Sequence, residues 1–110
     1  MNYINSKIKP KNCRRYYTSV KITDKETELI NLGIQPKEMD GGKWRIIKSK
    51  SHYILKRSWS NVEIFKFKIK NQLISEIIIN TTYVSSEKFN PLKFKILLFD
   101  IIFNYNFQNE

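Results

Sequence analysis

The stretch VEIFKFKIKNQLISEIII, Val62 to Ile79, decides the fold. Its first half alternates. Phe65, Phe67 and Ile69 fall on one side of an extended chain and Lys66, Lys68 and Lys70 on the other, because successive side chains of a strand point to opposite faces. Asn71-Gln72 reads as a tight turn. Leu73 to Ile79 is nearly all apolar, the pattern of a central strand covered on both faces.

Working towards the N-terminus, Ser60-Asn61 is a further turn signal, preceded by His52 to Trp59 and Lys43 to Lys48 as two more strands joined by the polar turn around Ser49 and Lys50. These four runs read as an antiparallel β-meander. Upstream of it, Cys13 to Ile22 holds Tyr16, Tyr17, Thr18, Val20 and Ile22, residue types that favour a strand. Between that strand and the meander, Thr23 and Glu26 have the spacing of a capping box. Asp24, Glu26 and Glu28 sit where a helix dipole favours anions, and Gly33 is placed to end the helix in a left-handed conformation.

Towards the C-terminus, Asn80 to Phe89 is a polar loop. Asn90-Pro91 is a helix start, with Asn as cap and Pro at the first helical position. The helix that follows, to about Tyr105, carries an apolar arc wider than one sheet face needs. Either the helix is wedged between the sheet and the first helix, or part of the arc forms a homodimer contact through this C-terminal helix. The expected architecture is α+β: a four-stranded antiparallel β-meander plus an N-terminal strand, with a short N-terminal helix and a C-terminal helix packed on one face. Residues 1–12 read as a flexible basic arm and 13–110 as a single α+β domain.

Composition narrows the function classes. The 110 residues suffice for one domain. Cys13 is the only cysteine, which excludes an intramolecular disulfide and argues against a cysteine-based zinc site. No apolar run approaches the ~20 residues of a bilayer span, and Met1 to Lys11 lacks the apolar core of a secretion signal. A reducing interior, cytoplasm or organelle, is the expected location. No cofactor motif is found.

The formal charge is +10. Sixteen Lys against four Arg, with no Ala, is the signature of AT-rich coding. That bias explains the choice of Lys over Arg better than the excess of base over acid. The charge is also segregated: residues 1–21 hold six basic groups and no acidic ones, residues 22–42 two and five, residues 43–70 nine and one, and residues 71–110 three and four. Uniform bias would spread it more evenly. A basic surface for an anionic partner, nucleic acid or an acidic protein, is the implication.

The candidate contacts are Lys43, Arg45, Lys56, Arg57, Lys66, Lys68 and Lys70 from the strands, with Arg14 and Arg15 from the edge of the arm. The bland alternative is that strand lysines keep the sheet soluble and blunt its edges. Which face of His52 to Trp59 is buried stays open. With Tyr53, Leu55 and Trp59 inward, His52, Lys56 and Ser58 point out; with the reverse register, Tyr53, Arg57 and Trp59 point out and offer stacking surfaces.

No catalytic motif is found. Asp40-Gly41-Gly42 lacks the Lys-Ser/Thr and helix of a phosphate loop. His52 is the lone histidine, more often structural than catalytic, and no metal site is expected. Glu63 and Glu76 lie on adjacent strands with nothing requiring them to converge. The functional expectation is a small non-enzymatic module that grips nucleic acid backbone. The alternatives are an inhibitor or assembly accessory of a phage, plasmid or organelle, and a small toxin-like ribonuclease using His52, Tyr53, Lys56 and Arg57. A weaker idea is attachment of the arm to an anionic membrane surface.

Overall fold

The computed structural model describes residues 7–33, 44–57 and 60–108, with side chains as far as residue 102. Its element order is a 3-10 turn (Pro10–Asn12), β1 (Cys13–Lys21), α1 (Asp24–Leu32), β2 (Trp44–Ser49), β3 (His52–Arg57), β4 (Glu63–Lys70), β5 (Leu73–Asn80) and α2 (Pro91–Gln108). The strands form one antiparallel sheet in the order β1-β5-β4-β3-β2. The meander β2 to β5 is as the alternation implies, and β1 closes onto its far edge. Both helices lie on one face, so the fold is the α+β arrangement expected. The loop that includes Asp40-Gly41-Gly42, together with Lys43, Ser58 and Trp59, lies outside the described residues.

Local chemistry sets the element ends. Asn71 and Gln72 both take positive φ, 53° and 62°, the twist that a two-residue hairpin turn needs to match its strands. The Gln72 carbonyl accepts the Ile22 N–H at 3.0 Å and the Gln72 side-chain amide bonds Asp24, which fixes the hairpin tip to the start of α1. The capping box forms: Glu26 N–H donates to Thr23 Oγ1 at 3.0 Å and Thr23 N–H to Glu26 Oε1 at 2.7 Å. At the start of α2, Leu92 N–H donates to Asn90 Oδ1 at 2.8 Å. Gly33 ends α1 at φ 74°, ψ 170°. That is not the left-handed helical cap expected but an extended positive-φ conformation open essentially to glycine alone. A Cβ there would sit 3.0 Å from the Ile46 carbonyl oxygen, so the helix end is pressed onto β2.

The core lies between the sheet and the two helices. Leu55, Phe67, Ile74, Ile77, Ile79 and Leu98 are fully buried. Phe94 of α2 meets Phe65 at 4.9 Å and Phe67 at 5.3 Å between ring centroids, and Phe67 stacks on Tyr53 at 5.3 Å. Each aromatic pair adds roughly 0.5–1.5 kcal/mol beyond area burial. Phe94, Leu98, Ile101 and Ile102 carry the inward side of α2, while Leu92 and Ile96 remain exposed on its outer side. Among the described residues no helix is long and apolar enough to cross a membrane.

β5 is central, between β1 and β4, and is buried on both faces as its apolar run implies, although the described helices pack on only one of them. Ile78, on the other face, is nonetheless only 8% exposed. Arg15 of β1 and Lys66 of β4 flank it in register, and long basic side chains can cover apolar surface with their methylene stems while their charges stay in water.

Candidate functional site

The uncovered face of the sheet is built by register. Ile46, Tyr53, Leu55, Phe65, Phe67, Ile77 and Ile79 point into the core, so their strand neighbours point away. One row across that open face reads Arg15, Ile78, Lys66, Ile54, Ile47. A second holds Tyr17, Glu76 and Lys68 in register, with His52 and Ser49 paired on the next strands. A third holds Glu63, Lys56 and Arg45. Two of the sheet's three register irregularities shape this pattern. One extra residue on β4 between Leu55 and Lys56 in the register puts Glu63 on the open side, and one on β5 opposite Lys68 and Ile69 returns Ile74 to the core after the outward Glu76.

The register of β3 is thereby resolved. Tyr53 and Leu55 are buried, and His52, Ile54 and Lys56 lie on the open face. Tyr53, with its hydroxyl bonded to Asn31, is therefore no stacking surface. Tyr17, 77% exposed on β1, is the large aromatic that the described part of this face presents. Arg57 goes to the helix side, its guanidinium 4.0 Å from the Trp44 ring centroid. There it lines a cleft of about 470 Å³ with Trp44, Val62, Phe65, Tyr83 and Leu97.

Of the sequence candidates, the open face brings together Arg15, Arg45, Lys56, Lys66, Lys68 and Lys70. Arg57 is on the other face, and Arg14, exposed beside Ile79 in the register, is on the helix-side edge. Lys43 is outside the described residues. The four residues considered for a ribonuclease do not converge: Tyr53 and Arg57 lie on one face, His52 and Lys56 on the other.

Two buried carboxylates organise the open face, a feature the sequence reading missed. Glu76, 7% exposed, receives Arg15 Nε at 3.0 Å, Lys68 Nζ at 3.6 Å and His52 Nε2 at 3.6 Å. Glu63, 6% exposed, receives Lys66 Nζ at 3.7 Å and the Ile8 N–H at 3.3 Å. Each of the two is held by its own set of basic side chains. The Ile8 contact lays residues 7–12 against one end of this face, secured further by Thr81 N–H on the Asn12 carbonyl at 2.9 Å.

The Arg15 guanidinium is raised above its ordinary pKa, first by its hydrogen bond with Tyr17 and then by the charge of Glu76. A raised cation stabilises the fold at every pH below its unfolded value, and for arginine that covers the whole working range. Arg15 therefore does not titrate in use. Six cationic side chains face two carboxylates here, so the face keeps a net positive charge. Such a surface favours anionic partners electrostatically.

Among the described residues no cluster of three or more His, Cys, Asp or Glu side chains could hold a metal ion. In comparison with known proteins, no family model, no curated protein and no solved structure matches this chain.

Proposed function

We propose that the protein is a non-enzymatic module that binds the phosphate backbone of nucleic acid across the open sheet face. The observation that carries the reading is the sorting of Arg15, Arg45, Lys56, Lys66, Lys68 and Lys70 onto the one face that neither described helix covers. Lys66, Lys68 and Lys70 follow one another at about 7 Å along a single strand, a spacing suited to tracking a charged chain. The apolar floor of Ile47, Ile54 and Ile78 lowers the local dielectric and strengthens each contact. With Tyr17 as the exposed ring of this face, stacking is a minor contribution and sequence preference is weak.

The test is fluorescence anisotropy of nuclease-treated protein with labelled RNA, single-stranded DNA and duplex DNA across a salt series. Neutralising a phosphate contact removes ~0.7–0.9 from the slope of log K against log salt. Binding that tightens as salt falls, with a slope that flattens when Lys66, Lys68 and Lys70 become Gln, supports the reading. No binding at low salt rejects it.

A second reading, contact with a protein or a second copy of the chain, is favoured by Leu92 and Ile96. They lie one turn apart on the outer side of α2 and are 62% and 69% exposed. Sedimentation of the wild type and of Leu92→Ser with Ile96→Ser tests it. A concentration-dependent dimer that the variant abolishes supports this reading.

A further inference from the structure

The cations of the open face are not equivalent. Arg15 and Lys68 spend their charge on Glu76, and Lys66 on Glu63. Arg45 and Lys56 make no ion pair with any described carboxylate. They stand directly opposite one another on β2 and β3, and both are half-buried. Like charges in a directly opposed pair repel, with Cβ atoms only about 4.5–5.5 Å apart. Lys56 also pairs in register with Glu63, but that carboxylate is taken by Lys66 and the Ile8 N–H. The Arg45 Nε is buried and has no hydrogen-bond acceptor. A buried charged donor without an acceptor is costly, and an oxyanion in reach of both side chains would relieve that cost and the repulsion together.

Building on the nucleic-acid reading, we propose that Arg45 and Lys56 form the principal phosphate subsite of the face, ahead of the Lys66, Lys68 and Lys70 row that the sequence makes conspicuous. The buried Nε–H is held in place by no acceptor, so the guanidinium is free to turn outward and grip two oxygens of one phosphate in a side-on fork through Nε–H and the adjacent Nη–H. The Lys56 ammonium neutralises the same group as a point charge. Ile54 and Ile47, the next residues on the open side of the same two strands, wall the subsite on its inner side. The ligand chemistry is a phosphate oxyanion, either the phosphodiester of a polynucleotide or free inorganic phosphate.

The experiment follows the Arg45 Nε–H signal of the full chain in proton–nitrogen correlation spectra. One titration uses a ten-residue oligouridylate and the other inorganic phosphate at matched phosphate concentration. A shift of this signal with the oligonucleotide at concentrations where inorganic phosphate does nothing supports the subsite and assigns it to a polymer. A shift with inorganic phosphate alone supports the subsite and overturns the polynucleotide reading. A signal that stays fixed while the oligonucleotide binds overturns the subsite.

Affinity measurements give the second arm. Arg45→Gln with Lys56→Gln is expected to weaken oligonucleotide binding at least ~10-fold and to lower the salt slope by roughly one to two. Lys68→Gln should cost less than ~3-fold, since its charge is already offset by Glu76. Arg45→Lys, which keeps the charge and loses the fork, should recover only part of the loss. An effect of Lys68→Gln equal to or larger than that of the double variant overturns the proposal.

Discussion

Beneath the helices, Phe67, Leu55, Ile77 and Leu98 meet with none of their surface in water, whereas one residue along each strand Lys66, Ile54 and Glu76 form a face that neither described helix covers. The first face is held by area burial and ring packing. The second is held by ion pairs set into an apolar floor, at side-chain exposures from 8% for Glu63 to 55% for Arg15. Partly exposed ion pairs contribute at most about 1 kcal/mol each, far less than a buried aromatic ring. Substitutions on the two faces should therefore be read out in different quantities: stability on the covered face, affinity on the open one.

The largest effect expected is on the covered face. Phe67→Ala removes a ring that touches both Tyr53 and Phe94, and should cost about 3–5 kcal/mol in urea denaturation through lost burial and the cavity left behind. A loss below ~1 kcal/mol would mean that this face is not the packed one. Gly33→Ala comes next, because its Cβ would press on the Ile46 carbonyl at 3.0 Å and its φ of 74° disfavours any side chain. About 1–3 kcal/mol is expected, and an unchanged midpoint would show that α1 does not end against β2.

The smallest effect sharpens the contrast. Glu76→Gln releases Arg15, Lys68 and His52 from their shared carboxylate. Stability should fall by about 1 kcal/mol or less, while affinity for oligouridylate should rise roughly threefold with a steeper salt slope. Weaker binding by this variant would show that Glu76 positions the cations rather than restraining them.

The residues differ in how far they announce these roles. Phe65, Phe67 and Ile69 against Lys66, Lys68 and Lys70 is a pure alternation, so β4 and the division into two faces are legible from sequence. So are the Thr23–Glu26 box and the Asn90-Pro91 start, because capping depends on neighbours in the chain. β3 is not legible, since Tyr53 and Leu55 compete with Ile54 for the inward side and only pairing with Phe67 and Phe65 decides between them. β5 is legible as a central strand covered on both faces, but not what covers the second face, where Arg15 and Lys66 flank Ile78 in register. Glu63 and Glu76 sit among apolar residues of their own strands, and their cation partners come mostly from other strands through a register that three irregularities shift. The candidate set was accordingly half visible. The lysines of β4 could be named, but not the carboxylates that occupy some of them or the Arg45–Lys56 pair left without one.

The central claim is that the open face, and not the helical side, is the working surface. Acetylation footprinting of lysines by mass spectrometry, with and without saturating oligouridylate, tests it most directly because both faces report in one experiment. The account predicts protection of Lys56, Lys66, Lys68 and Lys70, with Lys25, Lys88, Lys93 and Lys95 modified as in the free protein. Protection of the helical-side lysines, or equal protection of both sets, would contradict it.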